Sequence, residues 1–472
     1  MSQSTGDCGC SRRSFIRSCV AGSVLMPGIL SALLADENKS GAETNPLAPR
    51  NPHFPAKAKR VIFLFMTGGV SHVESFDPKP KLFADHNKAL PVSEFQGKPG
   101  KYNMYLKRPQ WEFKSYGQCG TQVSGLFPNI GACADDLCVI RSMRSDHTNH
   151  YEATLGIHTG SFTMSRPSIG SWVSYGLGTV NQNLPSFMVL APKMPYAGSQ
   201  VWASDFLPGC HQGTLVVPGP EPIANVKRRV GSAGLQELEM EALQALNAQH
   251  LKQHPADPAL ATRIKSFETA YGMQTEVPDA FDLSKESDAT LKLYGLERGS
   301  AKGFAWQCLM ARRLAERGVR FIELIDVGSS DNWDAHGDMT THVPLARNVD
   351  QAIAGLLKDL KSRGMLEDTL VVWSTEFGRT PFNEKPDAKG REHHHWAFSS
   401  WLAGAGVKGG MTYGTTDDYG VSVVENQVHV HDFHATILHL MGMDHEKLTY
   451  RHSGRDYRLT DVSGKVVRPI LA

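Results

Sequence analysis

Four stretches of the sequence place carboxylates, imidazoles and hydroxyls directly behind short apolar runs. Behind Val61–Met66 come Gly68, Gly69, Ser71, His72, Glu74 and Asp77. Behind Leu137–Ile140 come Ser142, Arg144, Ser145, Asp146, His147, Thr148, Asn149 and His150. Behind Val319–Ile325 come Asp326, Asp331, Asn332, Asp334 and His336. Behind Leu370–Trp373 come Ser374, Thr375, Glu376 and Arg379, and a little later Glu392, His393, His394 and His395. Carboxylate and imidazole donors together suit Zn²⁺, Mn²⁺ or Fe²⁺, whereas mostly oxygen donors suit Mg²⁺ or Ca²⁺. Such ions can hold the attacking and leaving oxygens of a phosphate or sulfate ester, with Arg144 or Arg379 neutralising charge that develops. The candidate ligands are Glu74, Asp77, Asp334, His336, Glu376, His393 and His394.

Each of these residues also has a plainer use. Asp334 and His336 could cap the loop around Trp333, and Glu376 could pair with Arg379. Of three consecutive histidines at most two can point the same way. Asp77-Pro78 is a good turn starter by itself. A further set, His429, His431, His434 and His439, leads into and along a helix whose Phe433, Ile437 and Leu440 are core contacts, so packing is its main reading.

The elements that must position these residues are also legible. The runs Val61–Met66, Leu137–Ile140, Phe187–Leu190, Val319–Ile325 and Leu370–Trp373 are mainly apolar without strict alternation, as in strands buried on both faces of a parallel sheet. Leu345, Val349, Ile353, Leu356 and Leu360 recur at spacings of three and four, which predicts a helix ending near Gly364. Phe304, Cys308, Leu309 and Leu314 predict another before the strand at 319. Residues 235–270 are helical but charged, which suits a surface insertion. Strand–helix alternation of this kind implies an α/β domain with a doubly wound sheet. Ligands then bind beyond the carboxyl ends of the strands, where the four groups would meet.

Composition narrows the class of function. The chain has 472 residues, 49 Lys+Arg against 48 Asp+Glu, and 41% hydrophobic residues. That balance excludes a disordered chain, a polytopic membrane protein and the electrostatic footprint of a nucleic-acid binder. Ser11-Arg12-Arg13-Ser14-Phe15-Ile16 fits a twin-arginine export signal, followed by a weakly apolar stretch to Ala35 that Pro27 and Gly28 interrupt. The expected organisation is a signal over residues 1–35, a flexible tether over 36–59 and the main domain over 60–472. The mature chain would be periplasmic or otherwise extracytoplasmic, touching a membrane only through the signal. Cys119, Cys133, Cys138, Cys210 and Cys308 remain after the signal, an odd number at irregular spacing, so buried thiols are expected rather than a disulfide framework.

Several motifs carry a family resemblance. Phe65-Met66-Thr67-Gly68-Gly69, Phe76-Asp77-Pro78, Ser168–Val173, Trp333-Asp334-Ala335-His336, Thr375–Pro381 and Gly390–His394 resemble the sulfatase-like domain of unknown function 1501. His431–Leu438 and Tyr450–Asp456 look like its planctomycete branch. The resemblance implies a three-layer α/β/α sandwich of alkaline phosphatase type with a mostly parallel central sheet and a two-metal site. It also implies an exported, divalent-metal-dependent hydrolase of small-molecule or carbohydrate sulfate or phosphate esters. The sequence departs from that pattern in three ways. It has no Cys/Ser-x-Pro-x-Arg formylglycine motif. Asn149-His150-Tyr151 resembles the segment after the threonine nucleophile of nucleotide phosphodiesterases, which brings in His150 as a catalytic residue. The expected threonine position, however, holds Asp146, leaving Thr148 or Ser145 to serve. Glu376-Phe377 stands where an Asp-His pair would bind metal, and phenylalanine cannot ligate. The alternative expectation is therefore a catalytically degenerate binding or assembly protein on the same scaffold.

Overall fold

Alternation along the first strand assigns the layers. In β1 (Arg60–Phe65) Ile62 and Leu64 face one side, while Val61, Phe63 and Phe65 face the other, and all five are buried. Residues with both faces covered belong in the middle of a sandwich. The computed structural model describes residues 45–228, 232–254 and 257–472, so the expected signal over 1–35 lies outside it.

The central sheet adds β2 (Leu137–Arg144), β3 (Phe187–Leu190), β4 (Thr214–Val216), β5 (Phe321–Ile325), β6 (Thr369–Ser374), β7 (Phe398–Ala403), β8 (Met411–Tyr413) and β9 (Val428–His429). Its order is β8-β2-β7-β6-β1-β5-β3-β4, with β9 also on β2. Only β7 runs against the rest, antiparallel to both β6 and β2. The sheet is mostly parallel, as expected. The five runs read from the sequence all form strands. β7, with its Phe-Ser-Ser-Trp-Leu-Ala sequence, was not anticipated.

Helices cover both faces. On the Ile62 and Leu64 side lie α5 (Phe304–Glu316) and α6 (His342–Ser362), with Leu309, Val349, Ile353 and Leu356 in that core. On the Val61 and Phe63 side lie α1 (His150–Thr159), α2 (Ile169–Leu177) and α7 (Val430–Leu440), with Leu155, Trp172 and Phe433. Each such aliphatic or aromatic side chain, fully buried, contributes about 1.5–3 kcal/mol. The charged stretch forms two helices, α3 (Ala233–Gln253) and α4 (Pro258–Phe281), and none of the described α3 side chains is buried. Among the described residues no helix is long and apolar enough to cross a membrane.

Residues 45–59, the second part of the segment expected to be a tether, lie along the body of the fold. Leu47 and Ala58 are buried, and the Arg50 guanidinium donates to the Tyr175 carbonyl. Cys133, Cys138 and Cys308 are buried thiols, whereas Cys119 is exposed.

Register brings the strand ends into line. Phe65 pairs with Ser374 of β6 on one side and with Ile325 of β5 on the other. The segments that follow, Thr67-Gly68-Gly69, Asp326–His336 and Thr375–Arg379, therefore leave the sheet side by side. A hairpin of two strands, Ala89–Phe95 and Lys98–Leu106, completes this edge.

Candidate metal centre

Loop packing at the sheet edge begins with Gly68. Its φ of +113° and the place a Cβ would take, 2.7 Å from the Trp333 and Asp334 nitrogens, admit only glycine. The Gly68 N–H donates to both carboxylate oxygens of Glu376, at 2.9 and 3.1 Å. Asp326, at the end of β5, accepts from the Thr67 N–H at 3.1 Å and from the Trp333 indole at 2.5 Å. Trp333 is fully buried, so this acceptor anchors the loop that carries Asp334 and His336. Burial pushes the Asp326 carboxyl up to about 7, against its hydrogen bonds.

Asp334 is the hub. Its Oδ1 lies 2.9 Å from His336 Nε2 and 3.3 Å from His393 Nε2, and its Oδ2 lies 3.3 Å from His150 Nε2. His336 Nε2 and His393 Nε2 are themselves 3.0 Å apart. Arg379 Nη2 stands 2.6 Å from Asp334 Oδ1. Burial alone would raise the Asp334 pKa, but the three imidazoles and the guanidinium overcome it and hold the carboxyl far below its usual range.

The far side of each imidazole ring fixes its tautomer. His150 Nδ1 is 2.6 Å from Glu376 Oε1, His336 Nδ1 is 2.5 Å from Glu392 Oε2, and His393 Nδ1 is 2.7 Å from the Thr148 carbonyl. A carbonyl only accepts, so His393 carries its proton on Nδ1, and the two carboxylates favour the same form in His150 and His336. All three Nε2 atoms thus turn toward one carboxylate. Nδ1–H donated to an oxygen, with Nε2 free, is the usual arrangement of metal-binding histidines.

The donor set fits a cation. His150, Asp334 and His393 offer ligand atoms within 4.8 Å of one another, and His336 adds a fourth donor beside Asp334 and His393. Donors about 2.1 Å from an ion in tetrahedral geometry sit roughly 3.4 Å apart, close to the spacings around Asp334. The buried His150 Nε2 also lacks a hydrogen-bond partner. Three imidazole nitrogens and a carboxylate suit Zn²⁺, Mn²⁺ or Fe²⁺ better than Mg²⁺ or Ca²⁺.

Protonation competes for the same atoms. His336 is raised to about 9 by its bonds to Asp334 and Glu392. Burial would lower His150, but Asp334 and Glu376 outweigh it and its pKa is raised. For His393 burial prevails and the pKa is lowered.

The other expected site residues are placed elsewhere or act differently. Glu74 is fully buried against Arg391, 2.7 and 2.8 Å away, and accepts from the Gln110 N–H. Asp77 pairs with Lys79 at 3.1 Å and accepts from the Thr416 hydroxyl. His394 turns away from His393, lies 2.7 Å from the Val421 carbonyl and stacks on His72. Glu376 contacts the group through His150. Arg379 has no solvent exposure; its guanidinium donates to the carbonyls of Gly68, Gly69 and Arg391 as well as facing Asp334. Thr148 supports His393 through its carbonyl, and Arg144 lies over the Trp396 ring. In the C-terminal helix, His431 and His434 bind the carbonyls of Gly160 and Ile157, tying α7 to α1.

Two contributors escaped the sequence. Tyr196 stacks on His150 with ring centroids 4.2 Å apart, and Gln96 donates to Glu392 at 2.8 Å. Tyr196 sits in a loop without a motif. Gln96 is at the tip of a hairpin whose short, polar strands give no strong periodic signal.

The sequence matches the family described as "Protein of unknown function (DUF1501)" over residues 58–471. The chain belongs to that family. No curated protein matches it. Among solved structures it is similar to the lipoteichoic acid synthase LtaP from Listeria monocytogenes, at 8% identity and a TM-score of 0.35, covering 90% of this chain and 80% of that one. It is also similar to the PsFucS1 sulfatase from Pseudoalteromonas sp., at 13% identity and 0.33, covering 88% and 71%. A TAB5 alkaline phosphatase variant with Mg bound gives 11% and 0.30, covering 78% and 96%. Likenesses of this size carry no argument about the chemistry of the present site.

Proposed function

We propose that this protein is an exported hydrolase of sulfate or phosphate esters that works with one divalent transition ion. The supporting observation is the convergence of His150, His336 and His393 Nε2 on Asp334, each ring held from behind by an oxygen acceptor. Three lone pairs facing a carboxylate repel unless a cation or protons lie between them. A divalent ion there supplies Lewis acidity toward an ester oxygen and makes water a better nucleophile at neutral pH.

The chain's own groups do the rest. Glu376, Glu392 and the Thr148 carbonyl hold the Nδ1 protons and so keep the imidazoles oriented. Arg379 supplies a fixed positive charge on Asp334 while clamping the Gly68-Gly69 turn, which positions the group instead of contacting substrate. Glu74, Asp77 and His394 build the surrounding shell. The two-metal expectation narrows to one ion, because Phe377 packs against His150 and His393 and offers no donor. The Thr148 side chain faces the neighbouring cleft, so Thr148→Ala, which keeps the carbonyl, tests it as a nucleophile.

Mature protein loaded with Zn²⁺, Mn²⁺ or Fe²⁺ is expected to hydrolyse para-nitrophenyl sulfate, para-nitrophenyl phosphate or bis(para-nitrophenyl) phosphate, and Asp334→Asn to lose that turnover. A loaded, folded protein inert toward all three would overturn the reading in favour of a binding protein on this scaffold.

A further inference from the structure

The charged insertion is built in two tiers. α4 belongs to the body of the fold, with Met273, Val277 and Ala280 buried in the core on the Ile62 side of the sheet. α3 lies outside α4. Its partly covered side chains are Gln236, Met240, Asn247 and Leu251, which recur at spacings of four, seven and four and so share one face of the helix. Gln236 donates to Gln274 of α4 at 2.9 Å, which makes that face the one turned to the body.

The opposite face is apolar and open to solvent. Leu235, Leu238, Ala242 and Ala245 follow one another at three, four and three, the period of a two-helix seam, with Leu246 beside them. Leu235, Leu238 and Leu246 are 52%, 64% and 64% exposed, and Leu243, nearer to α4, is 42% exposed. Among the described residues every largely exposed leucine lies on this one helix. Apolar side chains scattered singly over a surface are ordinary, but a row of them along a helix marks a contact.

The charges of α3 identify what the row contacts. Its first half bears Glu237, Glu239 and Glu241 and no cation, and its second half bears His250 and Lys252 and no anion. Two such helices side by side in parallel would set glutamates against glutamates. In an antiparallel pair each acidic half meets a basic half, and Ala242 and Ala245 meet their counterparts in the middle, where small side chains let the helices approach. The same spacing continues through Gln249 to Lys252, which then stands opposite Leu235 of the second copy. Its carbons cover that leucine while its ammonium reaches Glu239, one turn further on. The face is thus complementary to itself, as a contact about a two-fold axis must be.

We infer that two copies of this chain associate through the exposed face of α3, pairing the helices antiparallel about a two-fold axis near Ala242 and Ala245. The inference is independent of the hydrolase reading. A seam of one helix on each side is smaller than a standard interface, so the dimer is a weak one, with a Kd of about 10 µM.

Sedimentation velocity of the mature protein, from about 1 to about 200 µM, should show a reversible monomer–dimer equilibrium. Leu238→Glu combined with Leu246→Glu is expected to weaken the dimer at least about 100-fold by placing charges in the seam. Both side chains are exposed in the monomer, so its thermal melt should stay as in the wild type. Glu239→Lys and Lys252→Glu should each weaken self-association about tenfold by opposing like charges across the seam. An equimolar mixture of those two variants should associate as the wild type does, because every mixed pair again joins opposite charges. A wild type that stays monomeric throughout would overturn the inference and leave the face to a different protein. A dimer that survives the two leucine changes, or a mixture no stronger than its components, would overturn it as well.

Discussion

Two charged clusters, each with a carboxylate facing an arginine, lie at this end of the sheet, and they have opposite character. At Glu74 and Arg391 the carboxylate and the guanidinium have no solvent exposure, and other protein groups take up the remaining valences. At Asp334 one carboxylate is shared by three imidazoles and Arg379, two nitrogens face each other at 3.0 Å, and the side chain is a quarter exposed. The first cluster is complete as it stands, and its worth is mechanical. The second has donors left over and a path to solvent, which is what a bound ion requires. A strand-end carboxylate therefore signals chemistry only when its partners are donors that point inward and remain unspent.

Protonation separates the two regions most strongly. Around the sealed pair His72, His394 and His342 are pushed down to about 3 by burial, as are His211 and His434 in the helix layer on the other side of the sheet. An unfolded chain takes up those protons near 6.5, whereas the folded one refuses them until about 3. Their contribution to stability is thus fully present above about 6.5 and is lost as pH falls toward 3, by up to about 1.4 kcal/mol per pH unit for each. Circular dichroism should show cooperative acid unfolding inside that window. A protein still fully folded at pH 3 would break the contrast.

Removing one partner of the sealed pair comes next in size. Glu74→Ala leaves the Arg391 charge buried without its carboxylate, at a cost of about 3–5 kcal/mol in urea unfolding. Its folded fraction should still bind metal at the wild-type level. Loss of metal with unchanged stability would show that Glu74 belongs to the open cluster after all.

A smaller effect is expected one step behind the ligands. Glu392→Gln frees the His336 ring from its carboxylate acceptor and should weaken metal affinity by about 10-fold to 100-fold, as outer-shell changes do. Folding stability should change much less. Competition with a chromophoric chelator measures the affinity, and an unchanged value would remove His336 from the site.

The layers of this fold were legible because mainly apolar runs such as Leu370–Trp373 and the three-four spacing from Leu345 to Leu360 leave one physical solution each. β7 and the 89–106 hairpin were not, since Phe-Ser-Ser-Trp-Leu-Ala carries two serines and the hairpin strands are half polar. In the site, residue types and strand-end position singled out Asp334, His336 and His393, which the fold brings together. Sequence could not divide them from Glu74 and Asp77, because the deciding partners, Arg391 and Lys79, are not marked by spacing. Nor could it show that Arg379 is consumed by backbone carbonyls, a fact set by how closely Gly68 approaches the Trp333 loop.

The most direct test of the account is metal stoichiometry, by elemental analysis of mature protein saturated with Zn²⁺ or Mn²⁺ and then desalted without chelator. The account predicts one ion per chain, falling below about a tenth in Asp334→Asn, since loss of a ligating carboxylate costs well over the 1.4 kcal/mol that makes a tenfold change. No retained ion, two ions per chain, or one ion that Asp334→Asn leaves in place would contradict it.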